Sequence, residues 1–243
     1  MKKKIIIIIC LVLLYFIVSF TISFIEGRKK IVYIGYYTQV HIKDDGFKVI
    51  NNNQTINNKK IKLFVDNKFH NGYMNSKDAS IYIAYNFYDE DYKKIQIEDK
   101  FIATTKNLNI SIKNVEAEDT TANLEEILDY NNIDYIDVNK NKSKEYTFDI
   151  DQDGKKETIY KIMTNESEKI NKTYYIMNSE DDYYVITSYE NDNEAAFMKT
   201  VDLFKFIDFD SDGVYEMVFG VNNGGDIPAK YKIYSYKEGK FVK

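Results

Sequence analysis

The sequence predicts a mainly β protein: an N-terminal transmembrane helix, then antiparallel β-sheet domains, with one short helix near residues 121–131. Three observations predict it. The 243 residues include 22 Tyr and 15 Phe beside many Ile and Val, side chains that suit a half-buried pleated surface. Apolar residues recur with period two in one segment after another. A strand–loop–strand pattern also occurs twice after residue 143, at a fixed offset.

Residues 5–25 carry no charge. As a helix at about 1.5 Å per residue they span roughly 30 Å, the thickness of bilayer hydrocarbon. Lys2, Lys3 and Lys4 precede the run, and Arg28, Lys29 and Lys30 follow it. It is longer than the apolar part of a secretory leader, and Thr21-Ile22-Ser23 is a poor cleavage site, so it reads as an uncleaved anchor in the lipid bilayer. Cys10 is the only cysteine and lies inside the run. The rest of the chain therefore has no disulfide, thiol nucleophile or cysteine metal site. Residues 31–243 carry 27 basic and 37 acidic side chains, a net of −10. That balance disfavours nucleic acid and suits a cation.

The first soluble segment, 31–138, is expected as a β-rich extracytoplasmic domain. Residues 31–42 read as one strand, Asp44-Asp45-Gly46 as a turn and 47–50 as the returning strand. Residues 60–65 alternate, with Ile61, Leu63 and Val65 on one face. Further strands are predicted over 81–87, 94–97, 101–104 and 108–115. Asn71-Gly72 reads as a turn with His70 beside it. Thr121 is placed to cap a helix whose apolar face is Leu124, Ile127 and Leu128. A polar stretch at 139–143 then marks a boundary, and 144–243 forms a second β domain.

That second domain repeats itself. Phe148-Asp149-Ile150-Asp151-Gln152-Asp153-Gly154-Lys155-Lys156-Glu157 matches Ile207-Asp208-Phe209-Asp210-Ser211-Asp212-Gly213-Val214-Tyr215-Glu216. Both read apolar-D-x-D-x-D-G-x-x-E, and the following strands and turns also correspond, giving two blade-like units of four strands. Calcium takes six to eight oxygens at about 2.3–2.6 Å, and alternate aspartates in a tight loop can converge on one point. The glycine lets the chain bend after the third aspartate. The expected ligands are Asp149, Asp151, Asp153, the Lys155 carbonyl and Glu157 in the first loop. In the second they are Asp208, Asp210, Asp212, the Val214 carbonyl and Glu216. An EF-hand needs an acid at its twelfth position, where Tyr160 and Phe219 stand instead.

Over residues 144–243 these motifs resemble the FG-GAP/VCBS repeats of bacterial surface proteins, the calcium-loop blades of integrin-type β-propellers. The resemblance implies that the five acidic and glycine positions of each loop hold Ca2+, and that the module serves adhesion or ligand binding rather than a fixed reaction. A closed propeller usually has four blades or more. Two loops are present, so an open sheet or a sandwich is expected.

Other signals are bland. The two histidines, His41 and His70, belong to no metal or catalytic motif, and there is no H-E-x-x-H, G-x-S-x-G, P-loop or G-x-G-x-x-G. Asp89-Glu90-Asp91 and the acids of 116–119 read as solvated turns. Tyr36-Tyr37, Tyr174-Tyr175 and Tyr183-Tyr184 are expected to place one ring inward and one outward. Residues 222–226 read as a flexible loop. The sequence thus points to a single-pass, non-enzymatic protein of the cell membrane. Its C-terminal part lies outside the cytoplasm and binds calcium and an envelope protein or glycan. The rival is a cell-wall hydrolase built on a carboxylate pair.

Overall fold

A computed structural model of the chain describes residues 30–43, 46–51, 55–78, 83–97, 100–166, 170–179, 182–192, 200–222 and 229–243. The expected anchor at 5–25 and most of the 222–226 loop lie outside the described residues. Among the described residues no helix is long and apolar enough to cross a membrane. Among the described residues the fold is mainly β, with antiparallel sheets and one α-helix.

The first sheet joins two meanders. One is β1 (Lys30–Ile34), β2 (Thr38–Lys43) and β3 (Gly46–Asn51). The other is β4 (Lys59–Val65), β5 (Lys68–Asp78), β6 (Ile83–Tyr88) and β7 (Lys94–Ile95). Strand β8 (Ile102–Thr105) sits between β1 and β4, antiparallel to both. The single strand expected over 31–42 is therefore a hairpin. Gly35 takes φ +56°, a left-handed value open to glycine, and the chain reverses there. The Asn71-Gly72 turn is also corrected. Asp66 and Asn67 both take left-handed φ, +51° and +61°, the backbone of a two-residue hairpin turn. Strand β5 starts after that turn and carries His70 and Gly72 within it.

Gly72 answers to a close approach rather than a turn. A Cβ there would stand 2.2 Å from the Tyr88 carbonyl oxygen on β6. Neither backbone can yield without breaking the β5–β6 ladder. Gly72→Ala should cost about 2 kcal/mol as an overpacking change, a fall of about 4–8 °C in Tm. An unchanged melt would mean the two backbones stand farther apart.

The acidic repeats build the other sheets. In the second sheet β11 (Lys144–Phe148), β12 (Glu157–Asn165), β13 (Ile170–Ser179) and β14 (Asp182–Asp192) pair in succession, with β10 (Asp137–Val138) also on β12. In the third, β15 (Thr200–Asp208), β16 (Glu216–Asn222), β17 (Lys230–Lys237) and β18 (Lys240–Val242) pair in succession, with β9 (Ser111–Lys113) on β15. Each repeat is four consecutive strands with its acidic loop between the first and second. The 139–143 break holds one 3-10 turn, Lys140–Lys142, and strands from both sides of it share sheets.

The three sheets stack face to face, with the third in the middle. Along β16 the side chains alternate between two cores. Met217, Phe219 and Val221 meet Ile159, Tyr175 and Met177 of the second sheet. Val218 points the other way, with Ile207 and Phe209, toward Val32, Ile34 and Ile102 of the first sheet. Helix α1 (Leu124–Tyr130) covers the far face of the second sheet. Its Leu124, Ile127 and Leu128 pack on Ile162, Tyr174 and Ile176. The helix follows Asn123 rather than Thr121, and the Thr120 hydroxyl accepts the Ala122 amide at 3.2 Å just before it. With both faces of the second sheet covered, Tyr174 and Tyr175 are both buried, so neither ring of that pair faces outward. Tyr183 and Tyr184 are both half-buried.

Candidate metal centre

Each acidic loop is pinned by the apolar residue between its first two aspartates. Ile150 and Phe209 are fully buried, in different cores, so the flanking aspartates are turned away from those cores. Gln152 and Ser211 then take φ of +59° and +64°, and Gly154 and Gly213 both take +92°. The same residues of the motif adopt the same left-handed values, so the repeat extends to backbone conformation.

This winding gathers three carboxylates per loop. One oxygen each from Asp149, Asp151 and Asp153 lies within 4.8 Å of the others, and the same holds for Asp208, Asp210 and Asp212. Loop amides support them. Asp149 Oδ2 accepts the Gly154 amide at 3.0 Å, and Asp208 Oδ2 accepts that of Gly213 at 3.2 Å. Asp208 Oδ1 also accepts the Ser211 amide at 2.7 Å. The third aspartates take the next amides: Lys155 to Asp153 at 2.7 Å and Val214 to Asp212 at 2.8 Å. Lys155 and Val214 thus contact the aspartates through their N–H groups. Asp149 Oδ1 and Asp210 Oδ1 are buried with no hydrogen-bond partner.

The glutamates sit apart from these trios. Glu157 and Glu216 are buried at the start of the second strand of each repeat. Glu157 Oε2 accepts the Ile150 amide at 2.9 Å, and Glu216 Oε2 accepts the Phe209 amide at 3.2 Å. Each glutamate therefore ties the loop to the sheet with one oxygen.

Burial and crowding raise three acids of the second loop, Asp208, Asp210 and Glu216. Burial pushes Glu216 up to about 8, with the charges of Asp210, Asp212 and Asp208 adding to it against the Phe209 amide. Burial also raises Asp208 and Asp210. In the first loop burial raises Glu157, with Asp151 and Asp153 adding. A raised carboxyl binds more protons folded than unfolded, so its contribution is present below the unfolded value near 4.5 and lost as pH climbs through about 8. In chelator, stability should fall between pH 5 and pH 8, and a saturating divalent cation should abolish that fall. Urea midpoints at the two pH values measure it, and a rise in chelator would contradict the burial of Glu216.

The two loops touch. The Gln152 side-chain amide donates to the Gly213 carbonyl at 2.8 Å, and the Tyr215 amide donates to the Ile150 carbonyl at 3.0 Å. At the position equivalent to Gln152, the Ser211 hydroxyl donates to the Asn109 carbonyl at 3.1 Å. Equivalent loop side chains thus each donate to a backbone carbonyl of a distant segment. The repeat alignment marks Gln152 and Ser211 as equivalent, but nothing local to either residue signals its distant partner. Comparison with protein-family models, with curated proteins and with solved structures found no match.

Proposed function

We propose that the protein is a membrane-anchored, extracytoplasmic calcium-binding module, non-enzymatic, that binds another component of the envelope, a protein or a glycan. One observation carries the reading: two loops of the same backbone conformation each gather three aspartates, and each holds a buried carboxylate oxygen with no hydrogen-bond partner. Buried polar atoms without partners are rare, and a cation satisfies such an oxygen. Two oxygens on opposite sides of a calcium ion stand about 4.8 Å apart, twice a bond of about 2.4 Å, so the trios fit within one shell. An all-oxygen, anionic donor set suits a hard cation. The resemblance to FG-GAP/VCBS repeats supports the same residues. In this reading the Lys155 and Val214 carbonyls and the second oxygens of Glu157 and Glu216 complete the shells.

The anchor rests on the uncharged run at 5–25, and the outward orientation on loops suited to extracellular calcium. Calorimetric titration of the full chain in detergent should find two calcium ions per chain. No binding at millimolar calcium would return the loops to acidic turns. Protease added to intact cells should cut the β-rich part. Cleavage only after lysis, with purified protein readily cut, would reverse the orientation.

A further inference from the structure

We infer that the cleft between β9 and β15 binds a small organic carboxylate, held by Lys113, Lys205 and Asn67, at a site separate from the acidic loops. Strand β9 pairs with β15 only from Ser111 to Lys113, opposite Phe206–Asp208. Beyond Lys113 the chain leaves β15 and crosses to the second sheet, where Glu118 bridges Glu145. A cleft of about 350 Å3 opens where the strands part, with Asn67 of the β4–β5 turn on its wall. That volume suits a small ligand.

The cleft is rich in donors and poor in acceptors. Asn114 accepts from the Lys205 amine through Oδ1 and donates through Nδ2 to Asn67 Oδ1. Both ends of Asn114 are therefore used, and so is the Asn67 oxygen. What remains are mostly N–H groups, the Asn67 amide, the Lys113 amine and the unused hydrogens of Lys205, against one carboxylate, Glu116, and the Tyr146 hydroxyl. Lys205 is half-buried, and among the described residues its amine pairs with no carboxylate, unlike Lys140, Lys144 and Lys161. Burial pushes that amine down from its ordinary value. A partly desolvated cation that no carboxylate contacts directly is favoured by an anion that reaches it.

The charge of the lining sets the kind of anion. Lys113 and Lys205 face one exposed acid, Glu116, so the cleft carries one net positive charge within a strongly acidic chain. A monoanion matches it, and a dianion would be repelled by Glu116. Val115 and Leu203, both partly exposed, supply an apolar wall beside the amines, so the carboxylate should carry a small apolar body. Tyr146, half-buried on the same wall, closes the side nearest the second sheet.

The test is calorimetry of the full chain in saturating calcium, with N-acetyl-L-valine as probe and its methylamide as the neutral control. The acid should bind at least tenfold tighter than the amide. Lys205→Met should remove that difference, and Glu116→Gln should tighten binding about two- to fivefold. Isovalerate distinguishes the source: equal binding means the acid and its apolar body suffice, whereas a preference for N-acetyl-L-valine points to a chain end. Equal affinity for acid and methylamide, or full binding by Lys205→Met, would overturn the inference. Should Lys205→Met misfold, Lys113→Met gives the same readout from an exposed residue. Two calcium ions bound with no carboxylate response would overturn this site alone and leave the calcium reading intact.

Discussion

Adding calcium to about 1 mM should raise the melting temperature of the full chain by about 6–11 °C. For a site with a dissociation constant of ~0.1 mM, ligand linkage stabilises the folded state by about 1.4 kcal/mol, and two sites by about twice that. A chain of this size moves roughly 2–4 °C per kcal/mol. Asp151→Asn and Asp210→Asn should each remove part of the shift, and the double variant nearly all of it. The second loop should contribute more, because Asp208, Asp210 and Glu216 are held at raised values by burial and mutual repulsion, while Lys155 and Lys156 sit beside the first. In chelator the double variant should melt no lower than wild type, since each substitution relieves crowding among the carboxylates. That arm separates loss of a ligand from general damage to the fold. A calcium shift retained by the double variant would remove these aspartates from the site.

Phe219→Ala should be still more costly, at about 3–5 kcal/mol, the usual range for removing a fully buried aromatic ring. Phe219 is 1 % exposed and stands between two sheets. Its ring meets Tyr175 edge-on at 4.6 Å between centroids and Tyr234 at 5.5 Å. Truncation leaves a cavity between layers that cannot close unless two sheets shift. Phe219→Leu, which keeps most of the volume, should cost about 1–2 kcal/mol. Denaturant midpoints of the two variants, in calcium, measure the pair. An alanine variant within about 1 kcal/mol of wild type would mean that the sheets do not pack on this ring.

Strands with a clean two-residue alternation were legible from sequence, as Ile61 and Leu63 on β4 illustrate, because one face is buried and the other is not. What escaped depended on distant contacts. Strand β5 has Asn71-Gly72 in its middle, and only the Tyr88 carbonyl beside it explains a glycine there. The Tyr174-Tyr175 pair looked two-faced, yet helix α1 and the third sheet bury both rings. The aspartate trios were legible because a loop of ten residues sets its own curvature. The contacts from Gln152 to Gly213 and from Ser211 to Asn109 were not, since they join residues 61 and 102 positions apart. The cleft at Lys205 was hidden for the same reason: it exists only where β9 and β15 diverge.

The positions of the first and last strands among the described residues set how the fold bears tension. β1 lies inside the first sheet, with β2 on one side and β8 on the other. A pull on its leading end loads both ladders in shear, so several backbone bonds must fail together. β18 is an edge strand of three residues that pairs only with β17. A pull on the trailing end opens that ladder one bond at a time, and short edges are where native structure opens first. Tension applied between β1 and β18 would open β18 before the strands behind it. The strands that frame the second acidic loop, β15 and β16, lie beyond β17 in that order and would be among the later parts of their sheet to yield.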